Sequence, residues 1–189
     1  MQSSPQELAA PGENAFGALN NTAKPCGDCS LCCKVLTVTA LQKKPGRWCT
    51  HHAGGKCDIH ATKPFECGAF QCFWTLAPGL EEEWRPDRSK LVLWSDSDNR
   101  LIVDVDPGFP GAWRREPYYA QLKIWADRDR PNPLEVLIRT NGRLTVLFPE
   151  AEVELGLCGP DSSVDSGYRV EGGRRTPYAR YVESVTLPA

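Results

Sequence analysis

No stretch of this chain approaches the run of about 18 apolar residues that a membrane-spanning helix needs. Its first residues, MQSSPQELAAPGENAFGALN, place no basic cluster ahead of a long apolar segment. These two absences predict a cytoplasmic protein with no membrane attachment. Neither sign of charge is in excess: 22 Lys and Arg face 24 Asp and Glu, a net charge of −2. That balance removes the broad electrostatic case for nucleic acid or an anionic membrane surface, so any partner must be argued from sites. Histidine is scarce, with three residues in all, His51, His52 and His60. Internal repeats are absent as well. Apolar residues are thin between Ala23 and Pro78, where Pro25, Gly27, Pro45, Gly46, Gly54, Gly55, Pro64 and Gly68 punctuate the chain. So little apolar sequence does not offset chain entropy unaided, and small segments of this kind need metal or disulfide staples.

What that thin segment does contain is cysteine. Eight of the nine cysteines of the 189-residue chain fall between Cys26 and Cys72: Cys26, Cys29, Cys32, Cys33, Cys49, Cys57, Cys67 and Cys72. Two intervening residues let a tight turn aim both sulfurs at one ion about 2.3 Å away, the geometry of structural zinc and iron–sulfur sites. Cys26/Cys29 and Cys29/Cys32 have that spacing. In a reducing compartment thiols stay free, which disfavours a disulfide framework and turns the reading to metal. Eight thiolates suit two four-ligand sites, or one such site plus a second group that holds another metal or stays reactive. Adjacent Cys32 and Cys33 diverge along the backbone, so they face two different sites or one of them is not a ligand. His51 and His60 are the candidate imidazole replacements for a thiolate. Cys158, some distance past the cluster, reads as an isolated thiol.

The ordered pattern Cys26-x2-Cys29-x2-Cys32-Cys33, then Cys49-x-His51, then Cys57-x-Ile59-x4-Pro64-x2-Cys67-x2-Phe70-x-Cys72 resembles the CxxCxxCC cysteine-cluster family, described as a zinc- or iron-chelating domain. The resemblance covers about residues 23–74 and leaves residues 79–189 unassigned. It implies metal chelation by these eight cysteines and supplies no reaction, although some members are labelled iron–sulfur oxidoreductases. Two positions depart from the family habit, Lys63 where Arg is usual and His60 where Tyr is usual. Neither removes a thiolate. Zinc and iron both remain open, with an iron–sulfur cluster as one form of the second. The Cys-x2-Cys-x2-Cys run lacks the fourth cysteine and following proline of the bacterial ferredoxin pattern, because Cys33 and Lys34 come next, and this tips the reading toward zinc.

Other chemistries fit less well. Cys26-Gly-Asp-Cys29 has no strand ahead of it, as a thioredoxin-like redox pair requires. A zinc deaminase needs His-x-Glu, and the three histidines are followed at the second position by Ala53, Gly54 and Thr62. Asp28, Glu66 and the run Glu81–Glu83 read as solvated carboxylates. Lys43, Lys44, Arg47 and Trp48 form a basic–aromatic cluster too small and scattered to predict nucleic-acid binding, and Trp84, Trp94, Trp113 and Trp125 read as core. Three functional classes follow: a metal-stabilised module that presents a surface to a protein partner, an iron-dependent or iron–sulfur enzyme, and a metal-handling protein.

The fold expected is α+β: a loop-rich, metal-stabilised cysteine module at residues 23–78 packed on a mainly antiparallel sheet with one helix, after a flexible leader at residues 1–22 that carries a short docked turn near Phe16–Leu19. Within the module, Lys34–Ala40 reads as the one strand. Beyond it, Leu91–Trp94 and Leu101–Val105 read as a hairpin, Glu116–Arg128 as a helix with Tyr118, Leu122 and Trp125 on one face, and Leu134–Arg139 with Arg143–Phe148 as a hairpin around Asn141-Gly142. Glu152–Leu155 reads as a further strand, and residues 159–189 as an irregular tail over the surface.

Overall fold

The computed structural model describes residues 24–97, 99–159 and 162–182. The leader, with its turn near Phe16–Leu19, lies outside the described residues. The remainder is α+β, built on a five-stranded sheet: β3 (Leu91–Ser97), β4 (Arg100–Val105), β5 (Glu135–Thr140), β6 (Arg143–Leu147) and β7 (Glu152–Leu157) lie side by side in chain order. Every neighbouring pair is antiparallel except β4 and β5, which run parallel. A parallel pair needs a crossover. The crossover here carries α5 (Tyr118–Trp125), whose Tyr118, Leu122 and Trp125 point into the core as the sequence predicts. The helix is shorter than the predicted range and starts after Pro117, which holds its N-cap position. The Asn141-Gly142 hairpin forms with both residues left-handed, φ 53° and 74°, as a two-residue turn between twisted strands requires.

The two faces of the sheet are buried differently. On one face Leu91, Leu93, Leu101, Val103, Val105, Val136 and Ile138 meet Leu122, Trp84, Trp113 and Trp125, the principal core. On the other face two smaller apolar patches form. Leu137, Leu144, Val146 and Phe148 are covered by a hairpin of β8 (Ser163–Glu171) and β9 (Arg174–Val182), through Val164, Tyr168, Ala179 and Tyr181. Val92 is covered by Leu31 and Val35, with Trp94 and Phe70 packed alongside. Between the patches the polar face is paired: Arg139 donates to both oxygens of Asp104, at 2.8 and 2.6 Å, and Trp94 Nε1 donates to Asp104 at 2.7 Å.

Two expectations are corrected. Within the expected irregular tail, Ser163–Val182 forms the β8–β9 hairpin, turned by Gly172 and Gly173 at φ 57° and 78°. Its Gly-, Ser- and Arg-rich composition masks the alternation that places Val164, Tyr168, Ala179 and Tyr181 on the covered face, and Pro177 sits within β9, where strands disfavour proline. Lys34–Ala40 is not a strand. Its first residues end a helical turn, α1 (Cys32–Val35), because Leu31 and Val35 lie four apart and bury together against Val92. The other helices are similarly short: α2 (Phe65–Ala69), α3 (Phe73–Leu76) and α4 (Pro86–Ser89).

Candidate metal centre

The cysteines are positioned by turns and by a few long-range backbone bonds. In Cys26-Gly-Asp-Cys29 the Cys29 amide donates to the Cys26 carbonyl at 3.1 Å, with Gly27 left-handed at φ 60°. This knuckle leads directly into α1, whose buried Leu31 and Val35 fix the turn from which Cys32 and Cys33 project. Successive helical side chains point about 100° apart, yet the two adjacent thiols stay within hydrogen-bonding reach of each other. The chain then loops out and returns: the Cys49 amide donates to the Cys33 carbonyl at 3.0 Å. A two-stranded ribbon follows, β1 (His52–Ala53) and β2 (Lys56–Cys57), in which His52 pairs with Cys57 across Gly54-Gly55. Cys67 sits in α2 and Cys72 at the N-cap of α3. Finally the Lys24 amide donates to the Thr75 carbonyl at 3.0 Å, which lays the start of the segment beside its end.

These closures fold the segment back on itself, with Cys32 and Cys33 adjacent at its centre and Lys43 near both. Cys72 lies within electrostatic reach of Cys26 and Cys29, and Cys32 within reach of Cys29 and Cys72. Cys67 lies within reach of Cys33, Cys49 and Cys57. Cys32 and Cys33 are each other's nearest partners, and Lys43 lies near both. All nine cysteines are free thiols. Among the described residues no group of three or more Cys, His, Asp or Glu side chains is gathered closely enough to hold a metal ion.

Cys29, Cys32 and Cys72 are set into apolar surroundings. Cys29 and Cys32 pack against Leu31, Val35 and Val92, and Cys72 packs against the principal core beside Phe73 and Trp74. Burial pushes the Cys72 thiol up to about 11 and raises Cys29 as well. Cys32 is raised chiefly by its hydrogen bond to Cys33 and then by burial. In that pair Cys33 is the thiol that yields its proton, held down by the same hydrogen bond and by the ammonium groups of Lys43 and Lys63.

The loop that carries Cys49, Cys57 and Cys67 is different in kind. From Thr39 to Cys72 the only buried side chain is Lys43. Its ammonium donates to the carbonyls of Lys34 at 2.9 Å, Leu36, and Lys44 at 3.3 Å, closing the open C-terminal end of α1. Cys49, Cys33, Cys32 and Cys67 surround it electrostatically. A residue that the sequence places in a surface basic cluster thus faces inward, as the countercharge beside the thiols. Lys34, next to Cys33, reaches the other way and pairs with buried Asp106 at 2.6 Å, tying α1 to the end of β4. Sequence reasoning missed both lysines, since neither spacing nor composition distinguishes an inward lysine from a solvated one.

The three imidazoles brace the loop. His51 Nδ1 pairs with Asp58 at 3.2 Å, His52 Nε2 bonds Ser30 Oγ at 2.8 Å and stacks on Trp48 at 4.3 Å, and His60 Nε2 lies 3.2 Å from Lys63 Nζ. Asp28 pairs with Arg85 at 2.7 Å and Glu66 accepts from the Ala40 amide at 3.4 Å, so both carboxylates serve loop contacts. Cys158 stands apart, its thiol donating to the Gly142 carbonyl at 3.3 Å. Trp84, Trp113 and Trp125 are fully buried core residues. No described helix is long and apolar enough to cross a membrane. No family model matches the chain, and no curated protein or solved structure matches it either.

Proposed function

We propose that this chain is a metal-binding protein that chelates zinc or iron through two sets of four thiolates, Cys26/Cys29/Cys32/Cys72 and Cys33/Cys49/Cys57/Cys67, and that the ions hold the cysteine segment folded on the edge of the sheet. What supports this reading is the gathering of eight cysteines in a segment that has almost no apolar core and is closed by the Cys49–Cys33 and Lys24–Thr75 backbone bonds. Lys24–Cys72 buries only Leu31, Val35 and Val38 among its hydrophobic side chains, while Phe65 stays 87% and Trp48 48% exposed. Something other than packing must offset the entropy of ordering it, and a soft cation among thiolates does so. The cation also supplies what burial withholds: at a thiol raised by desolvation the metal replaces the proton on sulfur, and the proton passes to water. The role of the ions is structural, and the module they hold presents its surface to a protein partner. A reducing, cytoplasmic setting fits nine free thiols.

Limited proteolysis under reducing conditions tests the reading. Zinc-loaded protein should resist cleavage throughout the described residues. A chelator should open sites between Cys33 and Cys72 while a fragment containing β3 to β9 survives. A segment equally resistant with and without metal contradicts the proposal.

A further inference from the structure

The two thiol groups differ in what holds them when no ion is present. Cys29, Cys32 and Cys72 are anchored on apolar clusters shared with the sheet, through Val92, Leu31 and Val35 on one side and Phe73 and Trp74 on the other. Cys26, the fourth of this set, is exposed, so the apolar anchoring acts through the other three. Cys49, Cys57 and Cys67 hang instead on the loop between Thr39 and Cys72, whose one buried side chain is the ammonium-bearing Lys43. The ribbon that carries Cys57 turns at Gly54-Gly55 in open space, and α2, which carries Cys67, buries no side chain. Ordering such a loop consumes part of the binding free energy, and the exposed approach lets a competing ligand enter. Lys43 and Lys63 temper the charge of this group without giving it an apolar anchor.

We infer that the sites are unequal: Cys26, Cys29, Cys32 and Cys72 form a retained structural site, and Cys33, Cys49, Cys57 and Cys67 form an exchangeable site at which a soft divalent ion is taken up and passed on. This rests on the metal-binding reading above and extends it from holding ions to handling one of them. The exchange is a ligand substitution with no redox step: an incoming thiolate or chelator donor bonds the ion as a cysteine thiolate of the loop leaves it and takes up a proton from water.

The test uses the full chain, reduced and loaded with zinc, mixed with excess chromophoric chelator. Two zinc equivalents should leave in separate phases, the first on the order of tenfold or more faster than the second. Cys67→Ser and, independently, Cys57→Ser should remove the fast phase, leave one slowly released zinc, and preserve the near-ultraviolet dichroism of the buried tryptophans. Release of both ions in one phase, or loss of the slow phase in both variants, overturns the inequality and leaves metal binding standing. A reduced chain that takes up no zinc overturns the inference together with the reading beneath it.

Discussion

Single side chains in this protein do two kinds of work, satisfying buried charge and supplying sulfur. Asp104 shows the first. It accepts from Arg139 twice and from Trp94 once, filling the polar gap between the two apolar patches on the outer face of the sheet. Asp104→Ala leaves three N–H donors without acceptors and should cost about 2 kcal/mol, read as a lower urea midpoint at unchanged slope. Asp104→Asn, which keeps one acceptor, should cost less. Glu152 carries a pH dependence. Hydrogen bonds from Arg114 at 2.5 Å and from Tyr119 at 2.9 Å hold its carboxyl below its ordinary value of 4.5. A depressed carboxylate stabilises the fold above its unfolded-state value, and that contribution is lost as pH falls through the lower folded-state value. Glu152→Gln should therefore lower stability above about pH 4.5, where this contribution is fully present, and converge on the parent curve as pH falls further, which flattens the acid limb. An unaltered acid limb would show that this pair is not coupled to folding. Among the cysteines, raised thiols make metal uptake proton-releasing, so zinc affinity should climb as pH rises toward 8, measured by competition with a chelator of known pH dependence.

At the scale of elements, β3 is the member on which everything else is registered. Its alternation sends Leu91 and Leu93 into the principal core and Val92 and Trp94 to the opposite face, under α1. One edge strand thus joins the sheet to the cysteine segment. Leu31→Ala removes the largest aliphatic side chain of that contact and should cost about 3 kcal/mol. Amide exchange should quicken from Cys29 to Leu36 while Val146 and Phe148, in the patch under β8–β9, keep their protection. Uniform loss of protection would show instead that α1 does not dock as a separable unit. The elements most readable in the sequence were those whose signal is local. Asn141-Gly142 demands left-handed backbone, and Tyr118, Leu122 and Trp125 repeat with a helical period. Lys34–Ala40 was unreadable for the converse reason: its β-rich composition lost to one tertiary contact, Leu31 and Val35 on Val92. The β8–β9 hairpin was hidden by its Gly-, Ser- and Arg-rich composition and by Pro177.

For the whole molecule, the α+β class and the mainly antiparallel sheet follow from patterns in the chain, whereas the parallel pairing of β4 with β5 comes from the crossover and not from either strand. The eight cysteines were visible from the start as candidate ligands, yet their proposed division into two sets depends on closures between distant residues. Lys24 bonds Thr75 and Cys49 bonds Cys33, and no spacing rule contains either bond. The inward turn of Lys43 and the Lys34–Asp106 pair are equally tertiary facts. The resulting molecule is a sheet packed on both faces, with a thiol-rich segment against its β3 edge that buries few apolar side chains of its own. Elemental analysis of the chain purified without oxygen tests this account most directly. The account predicts two equivalents of zinc or iron per chain, colourless if zinc. Native, reduced protein that carries no metal while its cysteine segment remains folded would contradict it.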